Sequence, residues 1–272
     1  MNLNSPATLD PNSKSIEKSS RMRTWIDLTF LLVTRDLRVR YRGSFLGYLW
    51  SMMNPMLYMG ILTFVFSHLM KVQIENFAAF VLSGIMIWNM FSQSLSIGVN
   101  SIVANGSLLK KVRVPAALFP AASVLSVLIN FILALGPYLI VSLFLGVNIS
   151  PWILALPIFL VPYVFFIYGI ALFLGTLNVR FRDIGHVLEP LLLMIFYASP
   201  IIYQTSQLPQ KYQTIAGLNP ISQFLEQIRS IMFFGVAPEP QGFIVMCILA
   251  VGSLVLGVYT YRSQKNTFIY HI

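Results

Sequence analysis

The sequence predicts an all-α integral membrane protein with six transmembrane helices, and three observations lead to this fold class: composition, charge-free runs and charge asymmetry. Hydrophobic residues make up 57% of the 272 residues and charged residues only 10%, whereas soluble domains carry about 25% charged residues. A soluble globule with so little charge could not cover its own surface. The single cysteine, Cys247, excludes an internal disulfide and a cysteine metal cage.

Five runs without Asp, Glu, Lys or Arg account for the predicted spans, because one crossing of a bilayer takes about 20 apolar residues. The longest run, 114–179, holds two spans joined by a short hairpin at 146–151. The six predicted spans are 47–69, 77–99, 116–145, 152–177, 190–203 and 241–260.

The distribution of Lys and Arg sets the predicted orientation. With the N-terminus in the cytoplasm, the inner segments hold 15 of the 18 Lys and Arg residues, as the positive-inside rule requires. Both termini are therefore predicted to be cytoplasmic. Residues 1–21 are polar and predict a disordered cytoplasmic tail, residues 22–46 an interface helix and turn, and residues 47–272 the six-helix transmembrane domain.

The interface helix is predicted from an apolar stripe at spacings of three and four residues. The stripe contains Met22, Ile26, Phe30, Val33, Leu37 and Tyr41. With arginines opposite, such a helix would lie in the inner headgroup layer. It is either a general positive-inside anchor or a gate or docking element beside the first span.

Three further segments combine polar and apolar residues. The cytoplasmic loop 105–115 is an orientation signal or a knob that inserts into a cytoplasmic partner. The cytoplasmic loop 178–186 leads to Glu189, an ionisable group near membrane depth that is either functional or paired with an arginine. The outer segment 204–240 predicts one or two short helices that re-enter the membrane before the last span.

The motifs of soluble enzymes are missing from the sequence. There is no Gly-Lys dipeptide and hence no P-loop for ATP, and the three histidines have no metal-ligand spacing. The predictions are therefore no catalytic residue, no metal site and no cofactor in this chain. The few cations on each inner face also argue against nucleic-acid binding.

Seven motifs occur in a fixed order between about residue 25 and 262. They are RVRYRGSFLGYLW (38–50), NP (54–55), LKKVRVP (109–115), NVRFRDI (178–184), YASPIIY (197–203), PQKY (209–212) and LNP (218–220). Together with the predicted spans, these motifs resemble the permease subunits of ABC-2 type exporters of lipid-linked polysaccharides, the O-antigen and teichoic-acid transporters.

The resemblance implies a homodimer in the bacterial inner membrane, bound to two copies of a separate ATPase that carries ATP and magnesium. It would export undecaprenyl-linked, O-antigen-like polysaccharide through a channel at the dimer axis. The alternatives are an ABC-2 exporter of a small drug or lipid, a membrane enzyme acting on polyprenyl-phosphates, or a structural scaffold.

The resemblance also implies roles for individual residues. The residues expected to contact the ATPase are Leu109, Lys110, Lys111, Val112, Arg113, Arg180, Arg182 and Asp183. The residues expected to line the substrate path, on spans one and five, are Tyr48, Tyr58, Phe196 and Tyr197. Arg40 and Arg42 are expected to receive the pyrophosphate of the lipid carrier, because guanidinium groups pair well with phosphate oxygens.

Overall fold

The computed structural model describes residues 11–41, 49–65, 74–112, 114–265 and 268, and within these ranges every regular element is a helix. The α-helices are α1 (Pro11–Tyr41), α2 (Leu49–Thr63), α3 (Phe77–Ala104), α4 (Gly106–Lys111), α5 (Leu118–Phe144), α6 (Leu156–Arg180), α7 (Ile184–Ala198), α8 (Gln210–Leu218), α9 (Pro220–Arg229) and α10 (Pro240–Gln264). The all-helical fold class is confirmed for this part of the chain.

Four of the described helical stretches are long and apolar enough to cross a membrane. They are Phe77–Lys111, Leu118–Phe144, Pro151–Arg180 and Pro240–Gln264, and they coincide with predicted spans two, three, four and six. The other two predicted spans correspond to shorter helices, since α2 and α7 each contain 15 residues. Parts of the first predicted span, residues 47–48 and 66–69, lie outside the described residues.

Helix α1 begins at Pro11, well before the predicted start at residue 22, so the helix includes the second half of the predicted tail. Residues 1–10 lie outside the described part of the chain. The predicted apolar stripe is only partly the packed side of α1. Val33 is buried together with Leu32, against Phe119 of α5, whereas Ile26 and Phe30 are 62% and 69% exposed.

Helix α3 is the centre of the fold, because several other helices pack against it and most of its residues are buried. Ala79, Phe80, Val81 and Ile87 have no exposed surface. Its neighbours are α2, α5, α6, α7 and α9. Side chains on different faces of α3 therefore contact different helices.

Helices α6 and α10 form the closest helix pair, and two glycines permit the contact. A methyl group at Gly169 would lie within 2.6 Å of the Leu254 backbone nitrogen, and one at Gly257 would overlap the Gly169 carbonyl. Small residues allow helix backbones to approach in this way inside membranes. The pair is thus packed backbone to backbone.

The segment between α7 and α10 contains the short helices α8 and α9, whereas their re-entry into the membrane from outside stays a prediction. Asn219 caps α9 by accepting a hydrogen bond from the Ile221 amide at 3.0 Å, and its own amide donates to Ser199 Oγ at 2.9 Å. At the other end of α9, Arg229 donates to the carbonyl oxygens of Pro200 and Ile201 at 2.6 and 2.9 Å. Helix α9 therefore holds the residues that follow α7 at two points.

Arg229 is a buried cation, only 3% exposed. Its guanidinium carbon lies 4.0 Å from the centre of the Phe80 ring, a cation–π contact. Arginine keeps its charge in proteins, so Arg229 is a buried cation held by two carbonyl oxygens and one aromatic ring. The sequence assigned this arginine to the outer segment 204–240 and gave no sign that the side chain would be buried.

A groove between three helices as the candidate substrate path

A groove of about 530 Å³ lies between α2, α3 and α7. Each helix contributes a stripe at helical spacing, because residues three and four apart share a helix face. The described residues that line it are Tyr58 and Leu62 from α2, Ile85, Trp88, Asn89 and Ser92 from α3, Glu189, Leu192, Leu193, Phe196 and Tyr197 from α7, and Ile202.

The groove brings together three of the four residues that the resemblance placed on the substrate path. These are Tyr58, Phe196 and Tyr197, whereas Tyr48 lies outside the described residues. The Phe196 ring contacts Trp88 edge-on at 5.6 Å and Tyr197 at 5.3 Å, measured between ring centroids. Tyr58 and Tyr197 are 61% and 66% exposed, so both rings are available to a molecule in the groove.

Polar groups lie on the same surface. Asn89 and Ser92 of α3 and Glu189 of α7 line the groove, and Glu189 is exposed. Sequence reasoning singled out Glu189 but missed Asn89 and Ser92. A polar residue every few positions in an otherwise apolar helix was the available signal, but it does not reveal which neighbour those residues face.

The loop 105–115, the first of the two loops expected to contact the ATPase, forms the short helix α4 directly after α3. Lys110, Lys111 and Val112 are exposed, which leaves them open to a partner. Leu109, however, is half-buried and packs on the apolar cluster formed by α1 and α5, so it anchors α4 to its own chain. Arg113 lies outside the described residues.

Helix α1 is tied to the start of α4 by a hydrogen bond. Arg35 donates from Nη1 to Asn105 Oδ1 at 2.8 Å, and Asn105 directly precedes α4. The Asn105 amide in turn donates to the Ser101 carbonyl of α3 at 2.8 Å. The position of α4 therefore depends on both α1 and α3.

The loop 178–186, the second loop expected to contact the ATPase, joins α6 to α7. Its Arg180, Arg182 and Asp183 are exposed. The Arg180 guanidinium lies 5.3 Å from the centre of the Phe181 ring. Backbone amides of His186 and Val187 donate to the Asp183 carbonyl at 3.0 Å each, which starts α7. The loop is thus a tight turn with its charged side chains directed outward.

A buried asparagine that the sequence did not assign connects this turn to α3. Asn178 is 2% exposed; its amide nitrogen is 3.2 Å from both the Val99 carbonyl and Asn100 Oδ1. Its Oδ1 accepts a hydrogen bond from the Gly185 amide at 3.1 Å. The amide thereby links α3, the end of α6 and the first turn of α7.

Arg40 does not line the groove. Its Nη1 donates to Gln93 Oε1 of α3 at 3.2 Å, and it borders a second cavity of about 600 Å³ between α1, α3 and α5. Arg35 and Asp36 also border that cavity and bind one another at 2.8 Å. Arg42, its predicted companion, lies outside the described residues.

The comparisons with known proteins agree on one family. The ABC-2 type transporter family matches residues 27–233. The chain is 31% identical over 256 residues to the O-antigen export system permease protein RfbA of Klebsiella pneumoniae, covering 93% of this chain and 98% of that protein.

A second relative is the O-antigen export system permease protein RfbA of Myxococcus xanthus, 30% identical over 243 residues, with 89% of this chain and 94% of that protein covered. The polysialic acid transport protein KpsM of Escherichia coli is 23% identical over 252 residues, with 88% and 93% covered. Since the family match spans most of the sequence, the chain belongs to the ABC-2 type transporter family.

Proposed function

We propose that this chain is the transmembrane subunit of an ATP-driven exporter in the bacterial inner membrane. Its cargo would be lipid-linked, O-antigen-like polysaccharide, moved from the cytoplasmic to the outer face. The observation that carries the proposal is the similarity, along nearly the whole chain, to permeases named for O-antigen export. The aromatic groove between α2, α3 and α7 supports it, because sugar rings stack their C–H faces on aromatic side chains.

The proposed topology has six crossings, with both termini in the cytoplasm. Four crossings are the long apolar helical stretches, and the shorter helices α2 and α7 supply the first and the fifth. Fifteen residues of α-helix span about 22 Å, less than the roughly 30 Å of a bilayer core, so the chain on either side must complete each crossing. In this arrangement α1 lies in the inner headgroup layer, and α8 and α9 re-enter from outside.

The proposed assembly is a homodimer with two copies of an ATPase. Helix α7 supports a second copy, because its broad apolar face is uncovered in one chain. The exposed large side chains of that face are Val187, Leu191, Leu193, Met194 and Tyr197. Inside a membrane such a face meets either lipid or another chain, and we assign it to the second copy because its Leu193 and Tyr197 also line the groove. A second copy facing it would close the groove into a channel.

The ATPase would bind at the exposed ends of the two inner loops and supply ATP and magnesium. Lys110 and Lys111 on α4 and the following Val112 would contact the ATPase and move with it during its cycle, as would Arg180, Arg182 and Asp183 of the second loop. In such a docking surface the apolar Val112 would supply contact area, and the charges of Lys110 and Lys111 would fix how the ATPase is oriented on it. The hydrogen bonds of Arg35 and Asn178 support the transmission of an ATPase movement to α1, α3 and α7, because they join these helices to the two loops.

The proposed channel works by many weak contacts. Tyr58, Phe196 and Tyr197 would offer ring faces on which a polymer slides without being held at one site. Arg40 and Arg42 would receive the carrier pyrophosphate at the inner face. The cavity that Arg40 borders lies between α1 and α3, on the cytoplasmic side expected for a lipid head group.

Depletion of the chain in its native cell tests the proposal. We expect polysaccharide to vanish from the surface while lipid-linked polymer accumulates on the cytoplasmic leaflet. Depletion of the partner ATPase is the matched control and should give the same result. Unchanged surface polymer would contradict the proposal and favour a small-molecule exporter, whereas loss of the lipid-linked polymer itself would favour an enzyme or a scaffold.

A further inference from the structure

Glu189 is the single carboxylate among the described residues that line the groove, and none of those lining residues is Lys, Arg or His. It lies on α7 five residues after Ile184, near the cytoplasmic end. The other lining residues of α7 follow at helical spacing up to Tyr197, about 12 Å further along the axis. A polymer that enters from the cytoplasm would therefore pass Glu189 before it reaches the aromatic rings.

Two nearby cations, Arg40 and Arg229, do not line the groove, because their guanidinium groups bind other partners. Arg40 donates to Gln93 and borders the cavity beside α1. Arg229 is buried and donates to the carbonyl oxygens of Pro200 and Ile201. Asn89 and Ser92 are uncharged side chains, so the Glu189 carboxylate is the one formal charge among the described residues that line the groove.

We infer that Glu189 makes this groove selective for uncharged glycans over polyanionic ones. The inference deepens the proposed function and rests on it. A carboxylate accepts hydrogen bonds from sugar hydroxyls, and the amide and hydroxyl beside it can do the same. A polymer with an acidic group on every repeat would instead bring like charges together inside the proposed channel, where they repel one another.

The same principle governs charge selection in channels, where acidic side chains at a constriction exclude anions and basic ones admit them. A homodimer would place two copies of Glu189 along one path. Because the proposed channel lies on the twofold axis, the two carboxylates would be at the same depth, and each repeat of an acidic polymer would meet both at once. An uncharged polymer meets only hydrogen-bond partners followed by aromatic faces.

The test uses cells without permeases of their own that express this chain with its cognate ATPase. One set of cells makes an uncharged polymer and the other makes a polymer with one carboxylate per repeat, both on the same lipid carrier. The ratio of surface polymer to lipid-linked intracellular polymer is measured for each. The variants are Glu189→Gln, Glu189→Lys and, as a matched control, Glu239→Gln, which removes the same charge from an exposed outer position.

We expect the wild-type chain to favour the uncharged polymer by about tenfold or more. Glu189→Gln should reduce that preference to less than about threefold, Glu189→Lys should reduce it further, and Glu239→Gln should leave it unchanged. Equal export of both polymers by the wild type, or an unchanged preference in Glu189→Gln, would overturn the inference while leaving the exporter function intact. Export of neither polymer by the wild type would instead refute the proposed function.

Discussion

Replacing Arg229 should loosen the attachment between α9 and the end of α7, and the ranking of two substitutions provides the test. Arg229→Lys keeps the positive charge but loses the planar fork that reaches both Pro200 and Ile201. Arg229→Met keeps an unbranched side chain and removes the charge. The substitution that looks more conservative should be the more damaging one.

The magnitudes follow from the contacts. A hydrogen bond to a charged group contributes about 1.5–3 kcal/mol, and a desolvated cation–π contact such as that of Arg229 with Phe80 contributes about 2 kcal/mol. Lysine would lose one hydrogen bond and part of the ring contact while its charge stays buried, so we expect a loss of about 2–4 kcal/mol. Methionine leaves two carbonyls without a donor but removes the cost of burying a cation, which is several kcal/mol, so its loss should be smaller.

Thermal unfolding of the purified protein in detergent, followed by intrinsic fluorescence, measures both variants. Gly84→Ala provides an independent perturbation of the same site, since its methyl group would overlap Arg229 Nη2 and lie 2.9 Å from the Ile201 carbonyl. Combined with Arg229→Met it should cost clearly less than the sum of the two single changes. A lower melting temperature for the methionine variant than for the lysine variant, or strict additivity with Gly84→Ala, would refute the reasoning.

Three other predictions concern coupling, the substrate path and packing. Reversing both charges, Lys110→Glu with Lys111→Glu, should leave the chain in the membrane and the ATPase active but abolish export, because the docking charges are lost; loss of membrane insertion would show that these lysines act only as an orientation signal. Tyr197→Ala should slow export several-fold in a surface-polymer assay, because a stacking ring is lost, and an unchanged rate would exclude this ring from the path. Gly169→Leu should lower the melting temperature by several degrees through the clash with α10. Gly252→Leu, a substitution into open space on α10, is its control and should have little effect.

The sequence predicts most of the long helices because a bilayer imposes a compositional rule that needs no knowledge of neighbours. Runs without charge were therefore sufficient to place α3, α5, α6 and α10. The choice of Tyr58, Phe196 and Tyr197 as expected substrate-path residues came from the family resemblance rather than from periodicity. The structure places these three residues on one groove, and their role stays a prediction.

Other features depend on tertiary contacts that the sequence does not reveal. Asn178 pairs with Asn100, 78 residues earlier, and Arg229 finds its carbonyl partners 28 and 29 residues away. The apolar stripe on α1 was visible, but an apolar residue has the same pattern whether it faces lipid or protein. For this reason the prediction did not separate the buried Val33 from the exposed Phe30.

The contacts at the two ends of α7 determine how this helix can move. At its N-terminal end the Gly185 amide is hydrogen-bonded to Asn178, and just beyond its C-terminal end Ser199 is hydrogen-bonded to Asn219. Between these points most of α7 is uncovered, with only Leu188 and Leu192 buried, and Pro190 interrupts its backbone hydrogen bonds. A helix that is hydrogen-bonded at both ends can bow at Pro190, but it can neither slide nor turn about its long axis without breaking those bonds. A passage bordered by such a helix changes its width rather than its length.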